Sequence, residues 1–156
     1  MNTRDIMSSP VITIRQEATA GEAIDLMLEH KKSCLPVLDE DGRLTGMLTH
    51  TDLGVHPKFM PMANILQILM APWVTPRTIE EIMKRLRSTP ITNVMKYPVI
   101  TVQERAPISE VADLMLRKGI SRVPVLRGDE LVGIIARHDF IKLMALRPDT
   151  SFLYVG

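Results

Sequence analysis

The chain has 156 residues, of which 46% are apolar and 24% are charged, and its formal net charge is +1. This ordinary globular mixture excludes a disordered chain, and the small net charge argues against the basic surface of a nucleic-acid-binding protein. The single cysteine, Cys34, excludes an internal disulfide and favours a reducing, cytoplasmic compartment.

The first predicted elements are a short strand and a helix. Residues 11–14, Val-Ile-Thr-Ile, form a run rich in β-branched side chains, which suits a strand. Thr19 and Glu22 then have the spacing of a capping box, so a helix is expected to begin there. The apolar face of this helix is predicted to consist of Ile24, Met27 and Leu28.

Two further strands and a second helix are expected to follow. Residues 34–38 and 44–49 are apolar runs separated by the turn sequence Asp-Glu-Asp-Gly. Asp52 comes three residues after the end of the second run, where an aspartate can act as the N-cap of a helix. The order of elements up to this point is strand, helix, strand, strand, helix.

The next segment, 54–90, is long for a connector and predicts a helical insert. We expect a short apolar helix over 60–70 and an amphipathic helix over 78–88, which Thr78 and Glu81 would cap. The longest apolar stretch, 65–74, is far shorter than the roughly 20 residues that cross a bilayer, so no direct membrane insertion is expected. The apolar face of the second helix is predicted to be Ile79, Ile82, Met83 and Leu86.

The remainder of the chain repeats its beginning. Residues 5–38 and 93–126 share 15 identities in 34 aligned positions at an offset of 88. One deletion in a turn then reduces the offset to 87, which aligns Asp52 with Asp139. The second copy therefore predicts the same elements, with its strands at 99–102, 122–126 and 131–136, its first helix presenting Ile108, Ala112, Met115 and Leu116, and its last helix at 139–146.

Five short motifs occur in the same order in both copies. They are D-I-M or N-V-M, P-V-I-T, E-x-x-D-L-M-L, x-P-V, and a glycine with two apolar residues before T-x-x-D, where the second copy has Ala136 instead of the threonine. Together they resemble the CBS-domain family, in the tandem arrangement called a Bateman module. The resemblance implies an α+β fold of two β-α-β-β-α repeats, packed pseudo-symmetrically through their sheets with a helical insert between them. The expected limits are 1–53 for the first repeat, 54–90 for the insert, 91–147 for the second repeat and 148–156 for a tail.

The same resemblance implies a function. Pairs of this kind commonly bind AMP, ADP, ATP or S-adenosylmethionine in two clefts between the repeats, act as regulatory sensors, and dimerise. We therefore expect a non-catalytic sensor of adenine nucleotides that needs no cofactor and forms a homodimer. A regulated enzyme or transporter is its expected partner, and nucleic acid is not. The surplus of apolar helix surface in the sequence also favours a dimer.

The end of the third strand, Leu-Thr-His-Thr-Asp, has the chemistry of an adenosine site. A carboxylate can accept two hydrogen bonds from the vicinal hydroxyls of a ribose. Threonine hydroxyls and the N–H groups at the start of a helix suit a phosphate. By resemblance, each cleft joins this junction of one repeat to the first strand of the other. The first cleft is predicted to use Thr49, Thr51, Asp52, Ile100 and Thr101, with Leu35 and Pro36 at its wall and Arg122 near the phosphate.

The second cleft departs from this pattern, because Ala136 lacks the hydroxyl expected at its position. Its predicted residues are His138, Asp139, Ile12 and Thr13, with Val123 and Pro124 at the wall. Helix capping is an alternative role for both aspartates, and a carboxylate can serve both roles. Cys34 is expected to be a buried structural residue, and the sequence shows no set of residues with metal-ligand spacing.

Two other functions remain open from the sequence. A pair that has lost its ligand would act only in dimerisation or docking, and the ligand could instead be S-adenosylmethionine. An enzyme is the weakest alternative, since the sequence contains no Ser-His-Asp spacing and no glycine-rich phosphate loop.

Overall fold

The computed structural model describes residues 1–55, 70–72 and 75–146. Apart from Met70, the helix predicted over 60–70 lies outside these residues, as does the predicted tail at 148–156. The chain divides into two compact units. We call Ile12–Val99 the continuous unit, and Met1–Val11 with Ile100–Gly156 the composite unit.

The continuous unit contains one three-stranded sheet in the order β1-β2-β3. Strand β1 pairs in parallel with β2, and β2 pairs antiparallel with β3. Its elements are β1 (Ile14–Arg15), α1 (Ala20–Glu29), β2 (Cys34–Leu38), β3 (Leu44–Thr49), α2 (His50–Val55) and α3 (Pro76–Arg87).

The composite unit has the same sheet topology, in the order β4-β5-β6. Its elements are β4 (Val102–Gln103), α4 (Ile108–Lys118), β5 (Arg122–Arg127), β6 (Glu130–Ala136) and α5 (Asp139–Leu146). The predicted α+β fold with a repeated β-α-β-β-α unit is therefore confirmed. The first strand of each repeat begins three residues later than predicted. Only the last residue of each predicted strand and the residue after it pair with the next strand.

The start of the chain packs against the second repeat. A short 3₁₀ turn at Thr3–Asp5 lies beside β4, where the Thr3 N–H donates to the Ala106 carbonyl at 2.9 Å. Ser8 then pairs antiparallel with Ile134 in β6. The first eleven residues thus complete the composite unit.

The matching segment at the start of the second repeat packs against the first repeat. The Ile91 N–H donates to the Ala18 carbonyl at 3.1 Å, and Lys96 pairs antiparallel with Met47 in β3. Ile91 and Lys96 are the counterparts of Thr3 and Ser8 at the offset of 88. The boundaries of the compact units therefore lie between residues 11 and 12 and between residues 99 and 100. The repeat limits differ from these boundaries because they follow sequence similarity.

Alternating side chains of the central strands form the core of each unit. Leu35 and Val37 of β2 are fully buried with Leu48 of β3. Ile91, at the start of the second repeat, belongs to the same core. The corresponding core of the composite unit contains Ile6, Val111, Met115, Val123, Val125 and Ile135. Leu28 and Leu116, which belong to the predicted apolar faces of their helices, are 73% and 75% exposed.

The helix caps are partly as predicted. Thr19 and Glu22 form the expected capping box at the start of α1. The cap predicted for the insert helix is wrong: α3 begins at Pro76, and the Oγ1 of Thr75 accepts from the Thr78 N–H at 3.3 Å. Proline suits the first helical position because its missing N–H has no acceptor there.

An ion pair joins β4 to the β5–β6 hairpin. Arg127 donates two hydrogen bonds of 3.0 Å to the buried carboxylate of Glu104. This bidentate contact lowers the pKa of Glu104 below its ordinary value, against the opposing effect of desolvation. A carboxyl with a lowered pKa stabilises the fold above its unfolded value of about 4.3, and this contribution is lost as the pH falls through the lowered pKa.

We therefore expect Glu104→Gln to lower the melting temperature at pH 7. The difference from the parent should shrink as the pH falls through the lowered pKa of Glu104, because both side chains are neutral once Glu104 is protonated. Thermal denaturation at a series of pH values measures this. Glu81→Gln removes an exposed carboxylate, which pairs with Arg77 at 3.5 Å, and serves as the control with little effect at any pH. A difference for Glu104→Gln that stays constant with pH would show that packing, rather than the ion pair, is responsible.

Candidate functional site

The strand–helix junction of the continuous unit is a capping box. The Thr49 N–H donates to Oδ2 of Asp52 at 2.8 Å, and the Asp52 N–H donates to Oγ1 of Thr49 at 3.4 Å. Helix α2 begins at His50, so Thr49 is the N-cap and Asp52 is the third helical residue. The predicted N-cap role of Asp52 is therefore wrong by three positions, although its carboxylate does satisfy an N–H group at this helix end.

The two threonine hydroxyls extend this hydrogen-bond network toward solvent. Thr49 Oγ1 lies 2.7 Å from Oδ2 of Asp52 and 2.8 Å from Oγ1 of the exposed Thr51. Asp52 itself is only 5% exposed. The structure thus brings together the three polar residues that the sequence predicted as the ribose- and phosphate-binding group of the first cleft.

A lysine completes this junction. Lys96 Nζ lies 3.4 Å from Oδ1 of Asp52, the oxygen that the capping box leaves unused. The backbone of Lys96 is fixed by two hydrogen bonds with Met47, of 2.9 and 3.0 Å, but its side chain is 70% exposed. The negative charge of Asp52 is therefore balanced by a cation whose side chain is largely exposed to solvent.

The junction of the composite unit encloses its aspartate more completely. Asp139 is fully buried, and its Oδ2 accepts from the Ala136 N–H at 2.7 Å. Its Oδ1 is bound by Nζ of Lys142, one turn along α5, and lies 3.7 Å from Nε2 of His138. Both carboxylate oxygens of Asp139 are thus occupied within the unit, and Ala136 supplies no hydroxyl beside them.

The other predicted site residues lie in different settings. Leu35 and Val123, predicted as walls, are fully buried and pack in the two cores, while Pro36 and Pro124 are buried one position further along the strands. Of the residues predicted for the first strands, Ile12 packs against the core of the continuous unit and Ile100 is 38% exposed. Those in partly buried positions are Thr13, Thr101 and Arg122.

Each predicted cleft draws on both compact units. For the first cleft, Ile100, Thr101 and Arg122 belong to the composite unit, and for the second, Ile12 and Thr13 belong to the continuous unit. Their participation in a common site stays a prediction.

Neither lysine was predicted from the sequence. Lys142 could have been found, because a lysine three residues after an aspartate on a helix lies on the same face. Lys96 carried no such signal, since its position depends on the return of residues 90–99 to β3.

The described residues contain neither a metal-binding cluster nor a membrane-spanning helix. Within the described residues, no three side chains of His, Cys, Asp or Glu are arranged to hold a metal ion. Among the helices that the structure describes, none has the length and apolar character required to cross a membrane. Cys34 is buried in β2, as predicted.

Comparison with known proteins agrees with this architecture. The model of the CBS domain family matches residues 4–53 and 91–146. The uncharacterized protein MJ1426 of Methanocaldococcus jannaschii is 29% identical over 154 residues, which cover 92% of this chain and 91% of that protein.

Two solved structures have the same fold. The CBS domain of a CBS domain containing membrane protein from Sphaerobacter thermophilus is 34% identical, with a TM-score of 0.74 over 92% of this chain and 87% of that one. The CBS domain pair of protein MJ0100, in complex with 5′-methylthioadenosine and S-adenosyl-L-methionine, is 27% identical, with a TM-score of 0.67 over 93% and 96% of the two chains. With the family match in both repeats and the duplicated topology, this chain belongs to the CBS domain family and is a tandem CBS domain pair.

Proposed function

We propose that this chain is a non-catalytic regulatory module that binds adenosine compounds of the AMP, ADP and ATP class. The observation that carries the proposal is the Thr49–Thr51–Asp52 network, which holds a carboxylate and two hydroxyls at the end of β3. The related pair of MJ0100 binds two adenosine compounds, which supports a ligand of this type.

The chemistry of the junction suits a ribose. Among the described residues, the exposed Lys96 is the one partner of Oδ1 of Asp52, so the vicinal hydroxyls of a ribose can replace that contact. A lysine displaced in this way carries a compact charge on a flexible stem and can bind a phosphate of the same ligand. We assign Lys96 this role beside the predicted contacts of Thr49 and Thr51.

A cation at this position also affects the choice of ligand. AMP carries a phosphate that Lys96 attracts, whereas S-adenosylmethionine carries a sulfonium cation that Lys96 repels. We therefore favour adenine nucleotides over the alternative, an S-adenosylmethionine sensor, at this junction.

A thermal-shift screen tests the proposal. A ligand that binds only the native state adds ~2.7 kcal/mol to its stability at a hundred times the dissociation constant. AMP, ADP and ATP are expected to raise the melting temperature of the parent more than S-adenosylmethionine or 5′-methylthioadenosine does. In Lys96→Gln the advantage of the nucleotides should shrink, while Lys84→Gln, on the exposed face of α3, should behave like the parent. No shift with any of the five compounds would favour the ligand-free docking module.

A homodimer is the second part of the proposal. Leu28 on α1 and Leu116 on α4 are counterparts in the repeat and are largely exposed, and Ile141 and Met144 on α5 are 64% and 80% exposed. An open apolar groove of about 460 Å³ lies beside Leu28, between Met27 and Leu53. Apolar surface at matching positions of both repeats is typical of an interface.

We expect light scattering at micromolar concentration to give the mass of a dimer for the parent. The double variant Leu28→Glu with Leu116→Glu should give the mass of a monomer, because its dimer would bury four carboxylates. Met83→Glu, on α3, is the control for an added charge at an apolar position. A parent that runs as a monomer would contradict this part of the proposal.

A further inference from the structure

A second polar pocket lies in the composite unit, away from the strand–helix junction. Its volume is about 670 Å³, and three arginines line it, Arg4, Arg105 and Arg127, together with Asp5 and Glu104. It lies at the hairpin end of β5 and β6, whereas Asp139 follows the opposite end of β6. The five residue steps of β5 between these ends correspond to roughly 17 Å.

The walls of this pocket are held by hydrogen bonds. The side chain of Gln103 donates to the Gly128 carbonyl at 3.2 Å and accepts from the Gly128 N–H at 3.1 Å. The Arg4 N–H donates to the Glu104 carbonyl at 3.0 Å, which fixes the start of the chain against β4. The backbone of the pocket is therefore set before any ligand arrives, which lowers the entropy cost of binding.

The charges of the pocket leave an excess of cation. Arg127 is paired with Glu104, and Nε of Arg4 lies 3.8 Å from Asp5. The exposed Arg105 forms no salt bridge or side-chain hydrogen bond within the described part of the chain. Three guanidinium groups thus face two carboxylates, and one guanidinium keeps all of its donors available.

The fold itself does not require these arginines. The strand registers align Val102 with Ile14 and Val125 with Val37, so the two units can be compared position by position. The counterparts of Arg4, Arg105 and Arg127 in the continuous unit are Thr92, Glu17 and Asp39. The corresponding part of the continuous unit therefore has the same fold without an arginine at any of these three positions.

We propose that the pocket of Arg4, Arg105 and Arg127 binds a small phosphorylated anion, at a site separate from the adenosine junction. Guanidinium groups bind phosphate oxygens through two parallel hydrogen bonds, and several around one cavity favour an anion with more than one charge. The volume lies within the ~300–1,000 Å³ that is usual for small-molecule sites. Arg105 supplies the uncommitted donors, and Arg4 exchanges its weak contact with Asp5 for the ligand.

The proposal is tested by calorimetric titration of inorganic pyrophosphate into the full chain. We expect one site in the parent, and a loss of affinity of about tenfold or more in Arg105→Gln, because a charged hydrogen-bond donor is removed. Arg15→Gln is the matched control, since it removes the same charge from the corresponding corner of the continuous unit, and it should bind like the parent. Circular dichroism melts of the variants verify that these exposed substitutions leave the fold intact.

Further titrations locate the site and identify its chemistry. Asp52→Asn should leave pyrophosphate binding unchanged, and succinate, a dicarboxylate, should bind more weakly than pyrophosphate. The proposal is overturned if the parent does not bind pyrophosphate, if Arg15→Gln and Arg105→Gln lose affinity equally, or if Asp52→Asn alone loses it. Equal binding of succinate would overturn the assignment to phosphate. A pyrophosphate site that persists when adenosine compounds fail to bind would separate this proposal from the proposed function.

Discussion

Asp52→Asn is expected to weaken the binding of AMP by about ten- to more than a hundredfold, and Asp139→Asn by less. Within the described part of the chain, one carboxylate oxygen of Asp52 contacts just the exposed side chain of Lys96, with the hydroxyls of Thr49 and Thr51 nearby. Both oxygens of Asp139 are held inside its own unit, by Ala136 and Lys142. Neutralising Asp52, whose Oδ1 faces the exposed Lys96, therefore removes a charged acceptor from the ligand, whereas neutralising Asp139 mainly affects the fold.

Calorimetric titration of AMP into the parent and both variants measures this difference. Asparagine keeps an oxygen that can accept the N–H of Thr49 or Ala136, so the substitution separates the charge from most of the capping role. Melting temperatures of the ligand-free variants serve as the control. If Asp139→Asn loses binding while Asp52→Asn does not, the wrong junction has been chosen. If neither substitution alters binding, the aspartates act only at the helix ends.

Leu35→Ala is expected to lower the free energy of unfolding by about 2–5 kcal/mol. Leu35 stays a predicted wall residue of the first cleft, and it is fully buried among the core side chains of the continuous unit, including Val37 and Leu48. Truncation would remove buried apolar surface and leave a cavity where the packed strands and α1 cannot fully collapse.

Urea denaturation of the parent, Leu35→Ala and Met83→Ala tests this expectation. Met83 is 46% exposed on α3, so its truncation should cost less than about 1 kcal/mol. AMP titration below the unfolding transition separates the two roles of Leu35. A variant that keeps its stability but loses AMP binding would support the predicted role of Leu35 at the wall of the first cleft.

The duplicated motifs made most of the fold predictable. The limits of β2, β3 and α5 agree with the apolar runs and the periodicity, because these elements depend on local sequence. Helix faces were less predictable: Leu28 and Leu116 continue the apolar pattern of their helices but are exposed. Periodicity shows that a side is apolar, and it does not show whether that side meets the core or a partner.

The candidate site was predictable only where it is local. Thr49, Thr51 and Asp52 lie within four residues, so the chain itself brings their side chains together. Lys96 reaches Asp52 only because its backbone pairs with Met47, 49 positions earlier in the chain. Such a contact depends on strand pairing that a single sequence does not reveal.

The division of the chain into a continuous and a composite unit sets an order for folding during synthesis. All of Ile12–Val99 can leave the ribosome and pack while the second repeat is still being made. The first eleven residues emerge earlier but contact Ala106 and Ile134, so they must wait for roughly a hundred further residues before their partners exist. During that interval Ile6, a core residue of the composite unit, is an exposed hydrophobic side chain of the nascent chain, where chaperones have access to it.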